Sequence, residues 1–433
     1  MHRQSEPKIG WVSAGAIVIA NIVGTGVFTS LGLQLQSIQN TWSILILWIL
    51  GGLISLFGAF SYAELGTHLP KSGGEYHFLS EIYHPFLGYL SGWVSLTVGF
   101  AAPIALAAMA MGAYMDKFLP VSAELIAVLS ILLLSVVHSM SIRQSSRFQN
   151  LFTLLKILLI AGMVLAAFLV PSQANALDFS DTWKLELVSP AFAIALVYVT
   201  YSYSGWNAAA YIIEEIKNPK INLPKALIGG TSLVCILYVL LQYGFLRQAP
   251  LDALAGKVEI GQVVAEYMFG WEGSRGVSFL ISLLLISSIS AMVWVGPRIT
   301  RAMANDYRLW QFLATDNKHG IPVRAIWFQT FISVLLIITG SFEQVFLYSG
   351  FILQVFTTFT IAGVILLRIR LRGTGQGYKS PGYPILQIVY LLVSAWILIY
   401  LLYDKPQESL LGFVNLLLGA LTFWMNGQLH QKE

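Results

Sequence analysis

The chain has 433 residues, 56% of them hydrophobic and only 11% charged, with a mean hydropathy of +0.71. A soluble domain carries about 25% charged residues, so a single water-soluble core is excluded. The net charge of +4 is scattered over short loops without a basic stripe, which leaves nucleic-acid binding unsupported. The single cysteine, Cys235, lies in an apolar segment, which removes an intrachain disulfide and a thiolate metal cluster.

In chain order, no charged side chain follows Lys8 until Glu64, and this run holds the first two predicted helices, 9–37 and 42–66. Residues 67–85, THLPKSGGEYHFLSEIYHP, combine Pro and Gly-Gly with an amphipathic stretch and read as a short interfacial helix on the inner side. Three more helices are predicted over 86–116, 122–138 and 148–170, then 190–214 and 223–247. Residues 250–270 have the interfacial character again, on the outer side. Helices over 273–304, 324–340, 343–370, 384–403 and 408–428 follow, with a solvated polar loop, TDNKHG, between the first two. About 20 helical residues cross a hydrocarbon core of about 30 Å, so the reading is an all-α integral membrane protein with twelve transmembrane helices. The connections are too short for a soluble domain, so residues 1–433 form one membrane domain. No cleavable signal peptide is expected, because the first apolar run is too long, continues into another and shows no convincing small-residue cleavage site.

Lys and Arg orient the bundle. With the amino terminus inside, inner segments hold 18 of the 25, among them Arg143, Arg147, Lys217, Lys220, Lys225, Arg298, Arg301, Arg308, Lys318, Arg324, Arg368, Arg370, Arg372 and Lys379. Outer loops hold six, including Lys117, Lys184 and Lys405. Both termini are therefore expected in the cytoplasm, with the protein in the cytoplasmic membrane.

Two helices carry interruptions. The first contains Ile22-Val23-Gly24-Thr25-Gly26-Val27-Phe28 and the sixth Tyr201-Ser202-Tyr203-Ser204-Gly205-Trp206-Asn207. Each mid-helix Gly costs about 1 kcal/mol relative to Ala, and unwound backbone at membrane depth survives only where it is buried in protein or lines a cavity. Such a break frees amide N–H groups at the start of the second half and carbonyls at the end of the first. A zwitterion suits that arrangement, carboxylate on the amides and ammonium on the carbonyls. Small residues also let helices pack closely. What favours a site is that the interruptions fall in corresponding elements if helices 1–5 and 6–10 are two copies.

Lys156 lies about nine residues into the fifth helix, roughly 13 Å deep, among Leu154, Leu155, Ile157 and Leu158. An amine at that depth needs a partner, water or neutrality. It is a candidate proton carrier, and equally a fixed ammonium that replaces a bound Na⁺ in holding carbonyls together. Glu64 near Lys71, and Glu214 and Glu215 before Lys217, read as helix-end charges serving structure or inner gating. Ser287, Ser288 and Ser290 could ligate an ion but more often bond their own i−4 carbonyls. The histidines, His138 included, show no metal-ligand spacing, and no metal or other cofactor is expected.

Together, IVGTGVF, YAELGTHLPKSGGEYHFLSEIY and YSYSGWNAAAYIIEEIKNPKINLPKAL, with GPRITRAMANDYRL and FLYSGF, resemble the amino acid–polyamine–organocation permeases, nearest to L-type and bacterial amino acid permeases. The resemblance covers roughly residues 10–370. It implies two inverted five-helix repeats, 9–170 and 190–370, with discontinuous helices 1 and 6, and two additional peripheral helices over 384–428. It also implies an α-carboxylate held by the amides of Gly24, Thr25 and Gly26. The α-ammonium falls to the carbonyls of Ile22, Tyr201 and Ser204. Ser202 belongs to the same substrate-binding set, Tyr201, Trp206 and Asn207 to the gate, and Lys156 to coupling, standing in for sodium. Ser204 replaces a usual Gly and Tyr201 a usual Phe. The outer loop after the third helix has no Cys, so no disulfide-linked heavy subunit is expected. The expected activity is transport of a neutral L-amino acid by alternating access, through proton symport or amino acid exchange without sodium, with membrane lipid as the surroundings. The rival expectations are an amine or polyamine transporter, an amino acid exporter of the same fold, or a non-transporting amino acid sensor. An enzyme is not expected, since no nucleophile–base pair lies at membrane depth.

Overall fold

The computed structural model describes residues 8–116, 118–140, 146–172, 177–317, 320–371 and 377–430. Of the charges used for orientation, Arg3, Lys117, Arg143, Lys318, Arg372 and Lys432 lie outside them. Among the described residues the chain is helical, apart from one isolated parallel bridge between Ile9 and Ile216. Twelve apolar helical segments succeed one another: α1 (Trp11–Gln34), α2 (Thr41–His68), α3 (Pro85–Met115), α4 (Ala123–Met140), α5 (Ser146–Leu169), α6 (Pro190–Ser202), α7 (Pro219–Gln248), α8 (Ile260–Asp306), α9 (Val323–Thr339), α10 (Phe342–Leu371), α11 (Ile385–Asp404) and α12 (Pro406–His430). Ten are long and apolar enough to cross a membrane, while α6 and α9 are apolar but shorter.

Local chemistry sets several boundaries. The side chain of Asn40 accepts from the Trp42 amide at 2.9 Å and opens α2. His84 and Ser189 cap α3 and α6 in the same way, each followed by a proline at the first helical position, where its missing N–H costs nothing. Inside α3, residues Ser95–Gly99 widen into a π turn. Pro103 stands four residues after Gly99, where its ring would meet the Gly99 carbonyl of a regular helix, and the widened turn relieves that conflict. Within 67–85 a short helix forms over Glu75–Ile82. The expected interfacial segment at 250–270 does not stay separate. Only Leu251–Leu254 is a short helix, and α8 runs for 47 residues from Ile260, bending at Gly270, whose φ of 70° and ψ of −173° only glycine adopts freely.

Of the ten long helices α1, α2 and α3 are the most enclosed and α4, α11 and α12 the least, while the shorter α6 is almost wholly buried. α7 packs along α2 and α1, and α8 packs along α3. Outward faces are strongly apolar, as with Leu125, Leu129 and Leu133 at four-residue spacing on α4, the pattern of a face turned to lipid rather than to water. α6 lies against α1, α2, α10 and α11 at once. The two interrupted segments therefore meet in the middle of the bundle.

Candidate functional site

α1 consists of two helices, Trp11–Ile22 and Gly26–Gln34, separated at residues 23–25. Val23 leaves the helical region with ψ at 81°, and Gly24 N–H donates back to the Ile22 carbonyl at 2.8 Å. Thr25, at the head of the second half, makes no side-chain cap bond. Phe28 N–H donates to Thr25 O at 3.1 Å, while the amides of Thr25 and Gly26 precede the first intrahelical bond, so they and the positive end of the helix dipole are available to an anion. The carbonyls are braced from outside the break. Tyr238 Oη on α7 donates to Ile22 O at 2.8 Å, Gln242 Nε2 to Val27 O at 3.0 Å, and Tyr114 Oη on α3 to Phe28 O at 2.8 Å.

α6 ends at Ser202, turns through residues 203–207 and continues as a 3₁₀ helix over Ala208–Glu215. The turn depends on Gly205, whose φ is 98°. The two breaks press on each other at their glycines. A Cβ at Gly26 would lie 2.6 Å from Ser202 Cα, and one at Gly205 would lie 2.7 Å from the Asn21 carbonyl. Ser202 Oγ donates to Tyr198 O at 2.6 Å and shares a hydrogen bond with Ser30 Oγ at 3.0 Å, tying α6 to the second half of α1. Close packing and interruption are thus the same feature here, because each glycine lets one opened backbone touch the other.

The remaining sequence-derived residues divide into two sets. Tyr201, Ser204 and Trp206 line a cavity of about 50 Å³ with Ser55 of α2 and Gly350 and Gln354 of α10. That is room for a few water-sized groups. Gly24, Thr25 and Gly26 are not on its wall; of the three, Gly26 meets α6, at Ser202. The Tyr201 ring packs at a tilt against Phe346 with centroids 4.3 Å apart, and its hydroxyl is buried without a hydrogen-bond partner. Asn207 turns the other way, donating to Glu75 Oε1 at 2.6 Å.

Lys156 is 3% exposed. Its Nζ donates to Ala20 O on the first half of α1 at 3.1 Å and to Ser288 Oγ on α8 at 2.7 Å, so one ammonium links three helices two residues before the break. Ser288 also donates to Leu284 O, the expected i−4 bond, and His138 bonds Ser290 at 2.8 Å. No group of three or more His, Cys, Asp or Glu among the described residues is placed to hold a metal. Glu64 pairs not with Lys71 but with Arg368, through Nε at 2.6 Å and Nη2 at 2.8 Å. Glu214 exchanges bonds with Ser72.

Two contributors have no sequence signal. Tyr238, which braces Ile22, is one aromatic among many in an apolar run. Glu75 follows Gly-Gly in an amphipathic stretch and reads as solvated, yet it is buried by partners 13, 132 and 136 positions away.

A family profile described as "Amino acid permease" matches residues 9–424. The chain is 26% identical to human (Homo sapiens) b(0,+)-type amino acid transporter 1 over 428 residues, covering 97% of this chain and 87% of that protein. It is 28% identical to mouse (Mus musculus) large neutral amino acids transporter small subunit 2 over 444 residues, covering 96% and 80% respectively.

Proposed function

The chain belongs to the amino acid permease family of the amino acid–polyamine–organocation superfamily, and from that premise we propose that it is a secondary active permease for a neutral L-amino acid. It works by alternating access in the cytoplasmic membrane, through proton symport or amino acid exchange, without sodium. Membership and the names of the relatives support a transporter rather than an enzyme, and one of those names specifies large neutral amino acids. All twelve apolar helices span, α6 and α9 included, with both termini cytoplasmic. Helices α1–α5 and α6–α10 form two inverted repeats, with α11 and α12 at the periphery.

The observation that carries this reading is the contact of two interrupted helices, α1 and α6, in the middle of the bundle. The α-carboxylate is held by the amides of Thr25 and Gly26 and by that of Gly24, which leaves the Ile22 carbonyl to do so, favoured by the dipole of Gly26–Gln34. The ammonium takes the carbonyls of Tyr201 and Ser204. At Ile22, whose carbonyl already accepts from Gly24 and Tyr238, it displaces one of those donors. Ser202 keeps the two breaks in register. Tyr201 closes over the ligand against Phe346, and Trp206 and Asn207 move with it as the inner half of the gate. Neither break offers an acidic or basic side chain, which supports a neutral substrate. Lys156 ties the Ala20 carbonyl to α5 and α8 and supplies the charge a sodium ion would otherwise bring. A Lys156 that gives up its proton couples as a proton carrier, and one that stays charged acts as a fixed ammonium in place of sodium; these are the two alternatives for its coupling role. The chain's one cysteine, Cys235, is on α7 with Sγ donating to Gly52 O at 3.3 Å, which supports function without a disulfide-linked subunit.

The test is uptake of labelled amino acids into proteoliposomes of the purified chain, with Na⁺ or choline as the salt. Uptake of at least one neutral amino acid, equal in both salts, is expected. Uptake that requires Na⁺ would overturn the role of Lys156, and no uptake or exchange of any amino acid would overturn the reading.

A further inference from the structure

The hairpin between α2 and α3 grips the inner part of α6 through a carboxylate that no sequence feature marks. Glu75 opens the short helix Glu75–Ile82 and is only 6% exposed. Its Oε1 accepts from Tyr62 Oη on α2 at 2.7 Å and from Asn207 Nδ2 at 2.6 Å, and its Oε2 accepts from Tyr211 Oη. No ion pair to Glu75 forms among the described residues. Among the described residues only neutral donors reach this carboxylate, an expensive arrangement for a buried charge that needs a reason.

The surrounding bonds point the same way. Ser72 N–H donates to Glu214 Oε2 at 3.2 Å, Glu214 N–H returns a bond to Ser72 Oγ at 3.1 Å, and Gly73 N–H donates to Tyr211 O at 3.3 Å. Gly74, with φ of 56°, lies so near the Tyr211 ring that a Cβ would stand 2.7 Å from Cδ1. Loop and 3₁₀ segment are therefore bonded from Ser72 to Glu75 along one side. The neighbouring residue reaches elsewhere, since Tyr76 Oη donates to Asp306 Oδ2 at the end of α8 at 2.7 Å. Consecutive residues thus hold α2 and α6 with one side chain and α8 with the next.

We propose that the segment 72–76 is a clasp closing the inner end of the transport pathway, with Glu75 the positioning residue that holds the 3₁₀ half of α6 in its shut position. This rests on the transporter reading above. For the substrate to leave on that side, the 3₁₀ segment must move, and it cannot move while Asn207 and Tyr211 remain bonded to Glu75. The carboxylate is suited to the task because it offers several acceptor positions in one small group, whose bonds are made and lost together.

The test needs no substrate. In the full chain carrying Cys235→Ala, a reporter Ala208→Cys is placed on the 3₁₀ segment and, separately, a control Ala195→Cys on α6 before its break. Reconstituted protein is labelled with a membrane-impermeant thiol reagent from the side bearing residues 67–85. Glu75→Ala is expected to raise the labelling rate at 208 at least tenfold and leave 195 within twofold. Tyr211→Phe should give a smaller rise, and Glu75→Gln, which keeps an acceptor, a rate nearer the parent. Uptake should fall at least fivefold in Glu75→Ala. If Glu75→Ala does not fold, Tyr211→Phe and Tyr76→Phe carry the test. Labelling at 208 within twofold of the parent in every variant, or an equal rise at 208 and 195 from general loosening, would overturn the clasp. A labelling rise in a protein that moves no amino acid would refute transport while leaving the clasp in place.

Discussion

Gly24 and Gly26 stand two residues apart in one break, yet the structure assigns them opposite tolerances. A Cβ on Gly26 would sit 2.6 and 2.7 Å from Ser202 Cα and Cβ and would also meet Ser202 Oγ, whereas a Cβ on Gly24 finds only Ile22 O, at 3.9 Å. Contact with Cα and Cβ cannot be relieved by a rotamer change, so Gly26→Ala must push α1 and α6 apart by about an ångström. Overpacking of this kind costs about 1–3 kcal/mol. If the strain falls on the separation of the two breaks, as the proposed site requires, affinity for the transported amino acid drops about 5- to 150-fold. Gly24→Ala should change affinity by no more than about fivefold, its cost being a modest drive toward closing the break into helix. The assay is the ligand-induced thermal shift of each purified variant, titrated with the best amino acid from a screen of all twenty. Equal behaviour of the two variants, or undisturbed binding by Gly26→Ala, would refute the claim that the breaks form the site by direct contact.

Other outcomes follow from individual bonds. Lys156→Ala strands the Ala20 carbonyl and frees Ser288, and it should reduce transport at least tenfold while insertion and yield fall far less; transport rates in proteoliposomes against yield from the membrane check this. Tyr201→Phe removes a buried hydroxyl that has no partner, so thermal stability should hold or rise, by at most about 1–3 kcal/mol. Competition assays on the same variant should show preference shifting toward more apolar side chains. Glu64→Ala leaves the half-buried Arg368 unpaired and the Ser380 amide without its acceptor; breaking a buried pair costs about 3–5 kcal/mol. Because Arg368 is 24% exposed, the lower end applies, read as a loss of thermal stability with substrate affinity kept.

The membrane helices were legible because a charge cannot be left in hydrocarbon, so long charge-free runs mark most of them. The interruptions at Gly24–Gly26 and around Gly205 were legible for the same reason glycine is used there: it weakens a helix where nothing else in the run would. Lys156 announced itself by its depth. What the chain order conceals is partnership across distance. Glu64 has Lys71 as its near neighbour in sequence but Arg368 in space, 304 positions on. Glu75 sits in an amphipathic stretch whose polar side would face water, until α2 and α6 arrive to cover it. The first turns of α8 are not legible because Glu259, Glu266 and Glu272 make that stretch look interfacial, yet Val264 and Ala265 are buried and a helix already formed extends readily through charged residues. The bend at Gly270 then takes up the change of direction.

Recognition of the amino acid by main-chain groups of both breaks is tested most directly by cutting the ligand in half. For the best-binding neutral amino acid, the matched amine lacking the α-carboxylate and the matched acid lacking the α-ammonium are titrated as competitors in sodium-free buffer. Each removes charge-assisted hydrogen bonds of about 1.5–3 kcal/mol, so both analogues should compete at least tenfold more weakly than the parent amino acid. An amine that competes as well as the parent would contradict a carboxylate site at Gly24, Thr25 and Gly26 and would move the assignment to an amine or polyamine carrier.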